Sequence, residues 1–234
     1  MSPTGYEVIM SGKASFKIEV PHQLIENGES GAKKPLIVYL HGYGQNLETF
    51  KQLNEPLLSL NAYHLFLQGP YPLYDRTHKK NVSKWGRAWY LFDGNRGQFI
   101  KSLEVTSEFI QEIIDRLLTV IEVSKICVIG FSMGGYLAGY FGLTRWKHVH
   151  EVIMSGARLK TEVLNGDFES IRHITFLAIH GKEDDSVASA PQKKEMDVLK
   201  ENGLDARFQQ IDGGHSYDKL HVQTIKEWLQ QRGY

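Results

Sequence analysis

An uncharged segment of 19 residues, numbers 126–144, limits the possible folds of this 234-residue chain more than any other feature. It opens with apolar residues and continues through Gly130-Phe131-Ser132-Met133-Gly134-Gly135. Its length is close to that of a membrane-spanning helix. Its glycines and central serine instead favour a short buried strand, a tight turn and a glycine-rich helix. A strand that turns into a helix is the unit of a helix-covered parallel sheet, so the segment predicts an α/β protein.

Strand-like and helix-like patterns alternate along the rest of the chain. Residues 36–40 are a continuous apolar run, as in a strand covered on both faces. Residues 104–119 carry apolar side chains at spacings of three and four, which predicts a helix. The pattern predicts a mostly parallel central sheet with helices on both faces. Residues 6–10 and 16–20 flank Ser11-Gly12-Lys13 and predict an N-terminal antiparallel hairpin.

Composition and linkers indicate one ordinary globular domain. Apolar residues make up 41% of the chain and charged residues 23%, which argues against a disordered chain. No Gly/Ser-rich or Pro-rich linker divides residues 1–234, so we predict a single domain. Lys and Arg balance Asp and Glu at 27 each, so bulk charge does not predict nucleic-acid binding. The first 20 residues lack the apolar stretch of a signal peptide, and we predict a cytoplasmic protein without stable membrane insertion.

Ser132 is the candidate nucleophile. The sequence around it fits G-x-S-x-G between a predicted strand and a predicted helix, the context in which a serine sits on a sharp, strained turn. Glycines on both sides remove the collisions that such a turn would cause. The alternative interpretation is a glycine-rich turn with an incidental serine. A serine hydroxyl becomes a good nucleophile only when a neighbouring base accepts its proton.

His215 is the candidate base among ten histidines. It follows the last predicted strand, so its loop lies at the same sheet edge as Ser132. His41 and His180 also follow strands, but each precedes a glycine, and both are interpreted as residues that shape their loops.

A carboxylate has to hold the imidazole in orientation and stabilise its charge. The run Lys182-Glu183-Asp184-Asp185 follows a predicted strand and offers three carboxylates, and position alone leaves all three open. The chain order of serine, acid and histidine is that of the α/β-hydrolase fold.

Charge that develops on an attacked carbonyl needs hydrogen-bond donors already in place. The backbone amide of Met133, directly after the candidate nucleophile, is one predicted donor. The amide of Tyr43 in His41-Gly42-Tyr43-Gly44 is the other, because this loop follows the strand at residues 36–40. The small residues let the backbone of this loop approach the substrate, and we predict His41, Gly42 and Gly44 as substrate-binding residues.

Taken together, these segments resemble the carboxylesterase/phospholipase family of α/β-hydrolases, which includes bacterial carboxylesterases and acyl-protein thioesterases. In that family the catalytic acid stands three residues after the glycine of the His-Gly segment, and this register selects Asp184 from the acidic run. Trp89-Tyr90-Leu91-Phe92-Asp93 resembles the family's Trp-Phe-Asp motif, with two residues inserted. The chain departs from the family in having Asp185 where proline is frequent and Ser155-Gly156-Ala157-Arg158-Leu159 where many relatives have Ser-Gly-Tyr-Leu-Pro.

The segment 72–101 is predicted to be largely irregular and allows three interpretations. It carries seven Lys or Arg against two acids, and six aromatic residues. Basic and aromatic residues together are a nucleic-acid signature, but no recognised binding module accompanies them. A solvated loop with anchoring aromatics is one remaining interpretation. A lid or pocket-wall insertion that contacts substrate, with Trp89 lining it, is the other.

The sequence therefore predicts a serine hydrolase that cleaves carboxylic esters or thioesters through an acyl-enzyme on Ser132. The predicted partner is a small-molecule or acyl-chain ester, and the reaction needs no metal or organic cofactor. A non-catalytic binding protein of the same fold and a serine peptidase of the same architecture are the alternatives. The sequence predicts neither the natural substrate, its acyl-chain length and the preference for ester or thioester, nor the oligomeric state.

Overall fold

The computed structural model describes residues 9–12, 14 and 17–234. Its strands, in chain order, are β1 (His22–Glu26), β2 (Lys34–Leu40), β3 (Tyr63–Leu67), β4 (Tyr71–Pro72), β5 (Arg87–Ala88), β6 (Val123–Phe131), β7 (Glu151–Ser155), β8 (Thr175–Gly181) and β9 (Ala206–Ile211).

Seven of these strands form one sheet, in the order β1-β3-β2-β6-β7-β8-β9. β1 pairs antiparallel with β3, and each of the other neighbouring pairs is parallel. Residues at or next to the ends of neighbouring strands are paired: Leu40 with Gly130, Phe131 with Ser155, and Gly181 with Ile211. The loops that follow these parallel strands therefore leave the sheet at one edge, where ligands bind in open α/β sheets.

Helices cover both faces of the sheet. They are α1 (Leu47–Leu53), α2 (Arg96–Leu117), α3 (Met133–Thr144), α4 (Ser189–Glu201) and α5 (Lys219–Gln230). Side chains of β2 alternate between two cores, as expected for a strand buried on both faces. Val38 packs in the core that contains residues of α2, α3 and α4, and Ile37 packs in the core that contains residues of α1 and α5.

Two helices begin at capping boxes that the polar residues before them provide. Asn46 accepts a hydrogen bond from the Thr49 amide, and Asp218 accepts from the amides of Leu220 and His221. Such caps satisfy amides that have no partner inside the helix. α3 differs, because Ser132 precedes it without a side-chain cap and leaves its hydroxyl available.

The predicted N-terminal hairpin at residues 6–10 and 16–20 lies partly outside the residues that the structure describes. Residues 1–8, 13, 15 and 16 lie outside the described part of the chain, and residues 17–20 are not in a strand. The antiparallel edge strand is β1 instead, and β4 and β5 form a further small antiparallel pair. The alternating pattern at 17–20 belongs to a largely exposed segment, whereas β1 gains a partner in β3.

The segment 72–101 is more ordered than the sequence pattern predicted. α2 starts at Arg96 rather than near residue 104, because Asn95 caps it by accepting a hydrogen bond from the Gln98 amide. Phe99 and Leu103 extend the buried face of the helix toward its N-terminus. β5 and a 3₁₀ turn (Val82–Lys84) occupy part of the remainder.

The uncharged segment at residues 126–144 is close in length to a membrane-spanning helix. Within the described ranges, no helix combines the length and apolar character needed to traverse a bilayer. The segment forms most of β6, the turn at Ser132 and α3.

Candidate active site

Ser132 occupies a strained turn between β6 and α3. Its backbone angles are φ 50° and ψ −116°, a conformation that residues with a side chain rarely adopt. The turn is possible because Gly130 and Gly134 have no side chains. A Cβ on Gly130 would lie 2.1 Å from the Gly134 carbonyl oxygen, and one on Gly134 would lie 2.1 Å from the Leu40 carbonyl oxygen. The Ser132 amide donates to the Ser155 carbonyl at 2.8 Å, which fixes the turn to β7.

The three predicted chemical side chains meet at the edge where the parallel strands end. The Ser132 Oγ lies 2.8 Å from His215 Nε2, and His215 Nδ1 lies 2.8 Å from Asp184 Oδ2. Ser132 and His215 are 83 positions apart in sequence, and Asp184 and His215 are 31 apart. One hydrogen-bonded chain thus joins side chains from distant segments. This arrangement allows the imidazole to accept a proton from the hydroxyl while the carboxylate holds its other nitrogen.

Asp184 is held by more than the imidazole. Its second oxygen, Oδ1, accepts hydrogen bonds from the amides of Ser186 at 3.0 Å and Val187 at 2.8 Å. Burial raises the pKa of Asp184, but the hydrogen bonds from His215 and Val187 outweigh it and keep the pKa below its ordinary value. The neighbouring carboxylates of Glu183 and Asp185 are exposed. Asp184 is therefore the member of the acidic run that faces His215.

His180 contacts the other side of Asp184 and is fully buried. Its Nε2 lies 2.7 Å from the Val187 carbonyl oxygen and 3.3 Å from Asp184 Oδ2. The ring donates one proton into the loop that carries Asp184, which agrees with the predicted loop-shaping role.

Phe131 and Gly156 pack against the imidazole of His215. The sequence pattern predicted a role for neither residue at this position. The Phe131 ring centroid lies 5.2 Å from that of His215. Gly156 has φ +57°, and a Cβ there would approach His215 to 3.1 Å. The only sequence signal was the Ser155-Gly156 step after β7, which is compatible with many turns.

The loop after β2 lies beside the turn at Ser132. Gly134 packs against the backbone carbonyls of Leu40 and His41. Among the described hydrogen bonds, the amides of Tyr43 and Met133 have no acceptor. One predicted donor thus lies in the loop after β2 and the other at the first residue of α3, and both amides are available to bind a ligand.

His41 is a structural part of this loop. It is fully buried, and its Nε2 accepts a hydrogen bond from the Gly69 amide at 3.0 Å. The ring proton therefore resides on Nδ1, which lies 2.8 Å from the Gly42 carbonyl oxygen. Burial lowers the pKa of His41 to about 4, so the ring is neutral near pH 7. His41 therefore shapes the loop through hydrogen bonds.

Trp89 does not line an open pocket as predicted. Its side chain is fully buried, and its Nε1 donates to the His41 carbonyl at 2.7 Å. Its ring centroid lies 4.8 Å from that of His41. The indole combines a large apolar body with one polar edge, which suits a position beneath a polar loop. Trp89 therefore stabilises the loop of His41 through this hydrogen bond and through packing of the two rings.

A cavity of about 370 Å³ is linked to this site through Tyr136, which lines it and lies in the first turn of α3 after Ser132. Its wall comes mostly from the segment after Trp89, and Tyr136 of α3 closes it; the lining includes Tyr90, Phe92, Arg96, Phe99, Tyr136 and Lys160. Part of the segment 72–101 thus forms a pocket wall, although with other residues than Trp89.

Metal binding finds no support in the described ranges, where no group of three or more His, Cys, Asp or Glu side chains is arranged to hold an ion. The free cysteine, Cys127, is buried in β6, and burial raises the pKa of its thiol well above the ordinary value.

Comparison with protein families gives one match over nearly the whole chain. Residues 21–232 match the model of the family described as Phospholipase/Carboxylesterase. A curated mouse protein, lysophospholipase-like protein 1 (Mus musculus), is 22% identical over 212 residues, which cover 87% of this chain and 89% of the mouse protein.

Solved structures give the same fold. The crystal structure of esterase PE8 superposes with a TM-score of 0.70 at 21% identity, covering 92% of this chain and 99% of the esterase. The acyl-protein thioesterase 2 of Zea mays superposes with a TM-score of 0.69 at 20% identity, covering 92% of this chain and 100% of the thioesterase. At these identities the likeness establishes the α/β-hydrolase fold, which the sequence analysis predicted.

Proposed function

The chain belongs to the phospholipase/carboxylesterase family of α/β-hydrolases, and from this premise we propose that it is a serine hydrolase that cleaves carboxylic esters or thioesters through an acyl-enzyme on Ser132. The observation that carries the proposal is the hydrogen-bonded chain from Asp184 through His215 to Ser132, with both distances at 2.8 Å. The esterase and thioesterase among the compared structures support the reaction class.

The proposed reaction starts with attack by the Ser132 hydroxyl on the acyl carbonyl while His215 Nε2 accepts its proton. Asp184 holds the imidazole by Nδ1 and stabilises its positive charge. The amides of Tyr43 and Met133 donate to the oxyanion that develops on the carbonyl oxygen. The helix dipole of α3, whose N-terminus begins at Met133, favours the same negative charge.

The tetrahedral intermediate then collapses, and His215 gives its proton to the departing alcohol or thiol. Water then attacks the carbonyl of the acyl-enzyme while His215 accepts its proton. The second tetrahedral intermediate collapses as His215 returns this proton to the Ser132 oxygen, and the carboxylic acid leaves. These steps use only the chain's own residues.

The first test is the variant Ser132→Ala assayed with p-nitrophenyl butyrate. We expect kcat to fall by about 10³-fold or more, because the side chains of such a triad act as a unit. An active-site fluorophosphonate should label the unmodified protein and fail to label the variant. Ser216→Ala is the matched control, since Ser216 is an exposed serine next to His215 and bonds only within its own turn.

A near-normal rate in Ser132→Ala would contradict the proposal. Labelling without turnover of any ester or thioester would favour a non-catalytic relative of the fold. Short peptides assayed in parallel would reveal a peptidase.

Two expectations from the sequence stay proposals at this point. One is that the chain forms a single domain, which the continuous seven-stranded sheet supports. The other is the cytoplasmic location, which a fractionation experiment would test.

A further inference from the structure

The cavity beside Ser132 has a wall of aromatic side chains. Phe99 is at its centre, with ring centroids 5.1 Å from Tyr90, 5.4 Å from Phe92 and 6.2 Å from Tyr136. At about 370 Å³ the cavity is large enough for part of a small organic ligand. Its wall therefore suits an apolar segment of a substrate.

Tyr136 connects this cavity to the candidate nucleophile. It lies one helical turn after Ser132, and its amide donates to the Ser132 carbonyl at 3.0 Å. Ser132 directly precedes α3 and Tyr136 lies in the first turn of that helix, so the two residues are neighbours at the start of α3. A substrate whose carbonyl is at Ser132 can therefore extend a second group into the cavity.

Lys160 brings a positive charge to the same wall. Its Nζ lies 5.5 Å from the Phe99 ring centroid and 5.7 Å from that of Tyr136, so the ammonium is held against aromatic faces. The side chain is half-buried. In the described part of the chain, no carboxylate lies within 4.0 Å of its Nζ.

The nearby acids are already paired with other cations. Glu162 contacts Arg158 at 2.5 Å and Arg96 at 3.5 Å, and the second contact of Arg158 is to Glu195 at 3.7 Å. Two carboxylates thus balance two guanidinium groups, and the charge of Lys160 is left over. Burial, followed by the nearby Arg158 guanidinium, lowers the pKa of Lys160, as expected for a cation in a positive environment.

We propose that the cavity binds an anionic group of the substrate, such as a carboxylate or phosphate, with Lys160 as its main contact and Arg96 at the mouth. This inference rests on the proposed hydrolase function and narrows its substrate class to esters or thioesters that carry a negative charge. The aromatic wall holds the carbon chain between the charged group and the reacting carbonyl. A negative group of this kind would supply the partner that Lys160 lacks, in a site where partial desolvation strengthens the attraction.

The test compares substrates matched in length that differ in one charge. One arm uses the p-nitrophenyl monoester of adipic acid against p-nitrophenyl hexanoate, which places the charge on the acyl side. The other arm uses thioesters of butyrate with 3-mercaptopropionate or with propanethiol, which place it on the leaving group. In at least one arm we expect Lys160→Met to lower kcat/KM for the charged substrate about tenfold, mainly through KM.

The neutral partner in that arm should change less than twofold, and Lys160→Arg should restore most of the preference. Lys147→Met is the matched control, because the Lys147 ammonium also lies over an aromatic ring, 5.3 Å from that of Trp146, but after the far end of α3. The arm that responds identifies the side of the ester that enters the cavity.

Equal effects of Lys160→Met on charged and neutral substrates in both arms would overturn the inference and leave Lys160 as a packing residue. A preference of the unmodified protein for the neutral substrate in both arms would also overturn the inference. Failure of the proposed hydrolase function looks different, because the neutral esters would then also remain uncleaved in the unmodified protein.

Discussion

At the scale of single residues, the acidic run after β8 offers a direct comparison between adjacent side chains. Asp184 bonds to His215 and to two backbone amides, whereas Asp185 is exposed. The two residues share charge, size and loop, so their different surroundings are the only variable between the two substitutions.

We expect Asp184→Asn to lower kcat for p-nitrophenyl butyrate by about 10³-fold or more, because an amide can present a donor to Nδ1 and favour the wrong tautomer of His215. Asp185→Asn should stay within about twofold of the unmodified protein. Steady-state kinetics of the two variants, with circular dichroism to verify folding, decides the matter. Equal losses would show that the assignment of the acid is wrong.

Residues whose role follows from chain order and strand ends could be predicted from the sequence. Ser132, the acidic run 183–185 and His215 each follow a predicted strand, and parallel strands bring such residues to one edge. The choice of Asp184 within that run came from the family resemblance and not from strand position. Gly156 and Trp89 act through contacts between distant segments. Neither the closeness of Gly156 to the His215 ring nor the bond from Trp89 to the His41 carbonyl is encoded in local sequence.

At the scale of elements, the caps explain where helices begin and how loops are joined to them. Asn46 accepts from the Thr49 amide, and its Nδ2 also donates to the Lys84 carbonyl at 3.3 Å. It thus couples the start of α1 to the segment that borders the site. Asn95 caps α2 from an exposed position.

We expect Asn46→Ala to lower the free energy of unfolding by roughly 1–2 kcal/mol, since it removes a cap and leaves buried polar groups unpaired. Asn95→Ala, which removes a cap at the surface, should cost about 1 kcal/mol or less. Urea unfolding followed by tryptophan fluorescence measures both. A smaller loss for Asn46→Ala than for Asn95→Ala would contradict the coupling.

The start of α2 shows why element boundaries are harder to predict than elements. The apolar pattern predicted a helix from residue 104, and the structure extends it back to Arg96. The additional turns are held by the Asn95 cap and by Phe99, whose ring packs against Tyr90 and Phe92. Those aromatic partners come from a segment without a regular pattern, so the sequence did not reveal the extension.

At the scale of the whole molecule, buried histidines connect stability to pH. Burial lowers the pKa of His41 and of His64 to about 4. In the unfolded chain the same side chains titrate at roughly 6.5. Between these values the unfolded state binds more protons than the folded state, so the protein loses stability as the pH falls from about 6.5 toward 4.

We expect the free energy of unfolding to decrease between pH 7 and pH 5, with each fully linked histidine contributing up to about 1.4 kcal/mol per pH unit. Guanidinium unfolding at several pH values measures the slope. His64→Gln should flatten it, because His64 is fully buried and bonded to the Tyr39 hydroxyl. The same substitution at the exposed His148 is the control. An unchanged slope in His64→Gln would exclude that residue as a source.

The support beneath the loop of His41 has a consequence for redesign of this molecule. The Gly44 amide donates to the Arg87 carbonyl at 3.1 Å, the Arg87 amide donates to the Gln45 carbonyl at 2.8 Å, and Trp89 follows in the same segment. The next residues of that segment form the wall of the cavity. Grafting a wall from a homologue in order to alter selectivity would therefore also shift the anchors of the loop that carries the Tyr43 amide, so selectivity and turnover would change together unless residues 86–89 were kept in place.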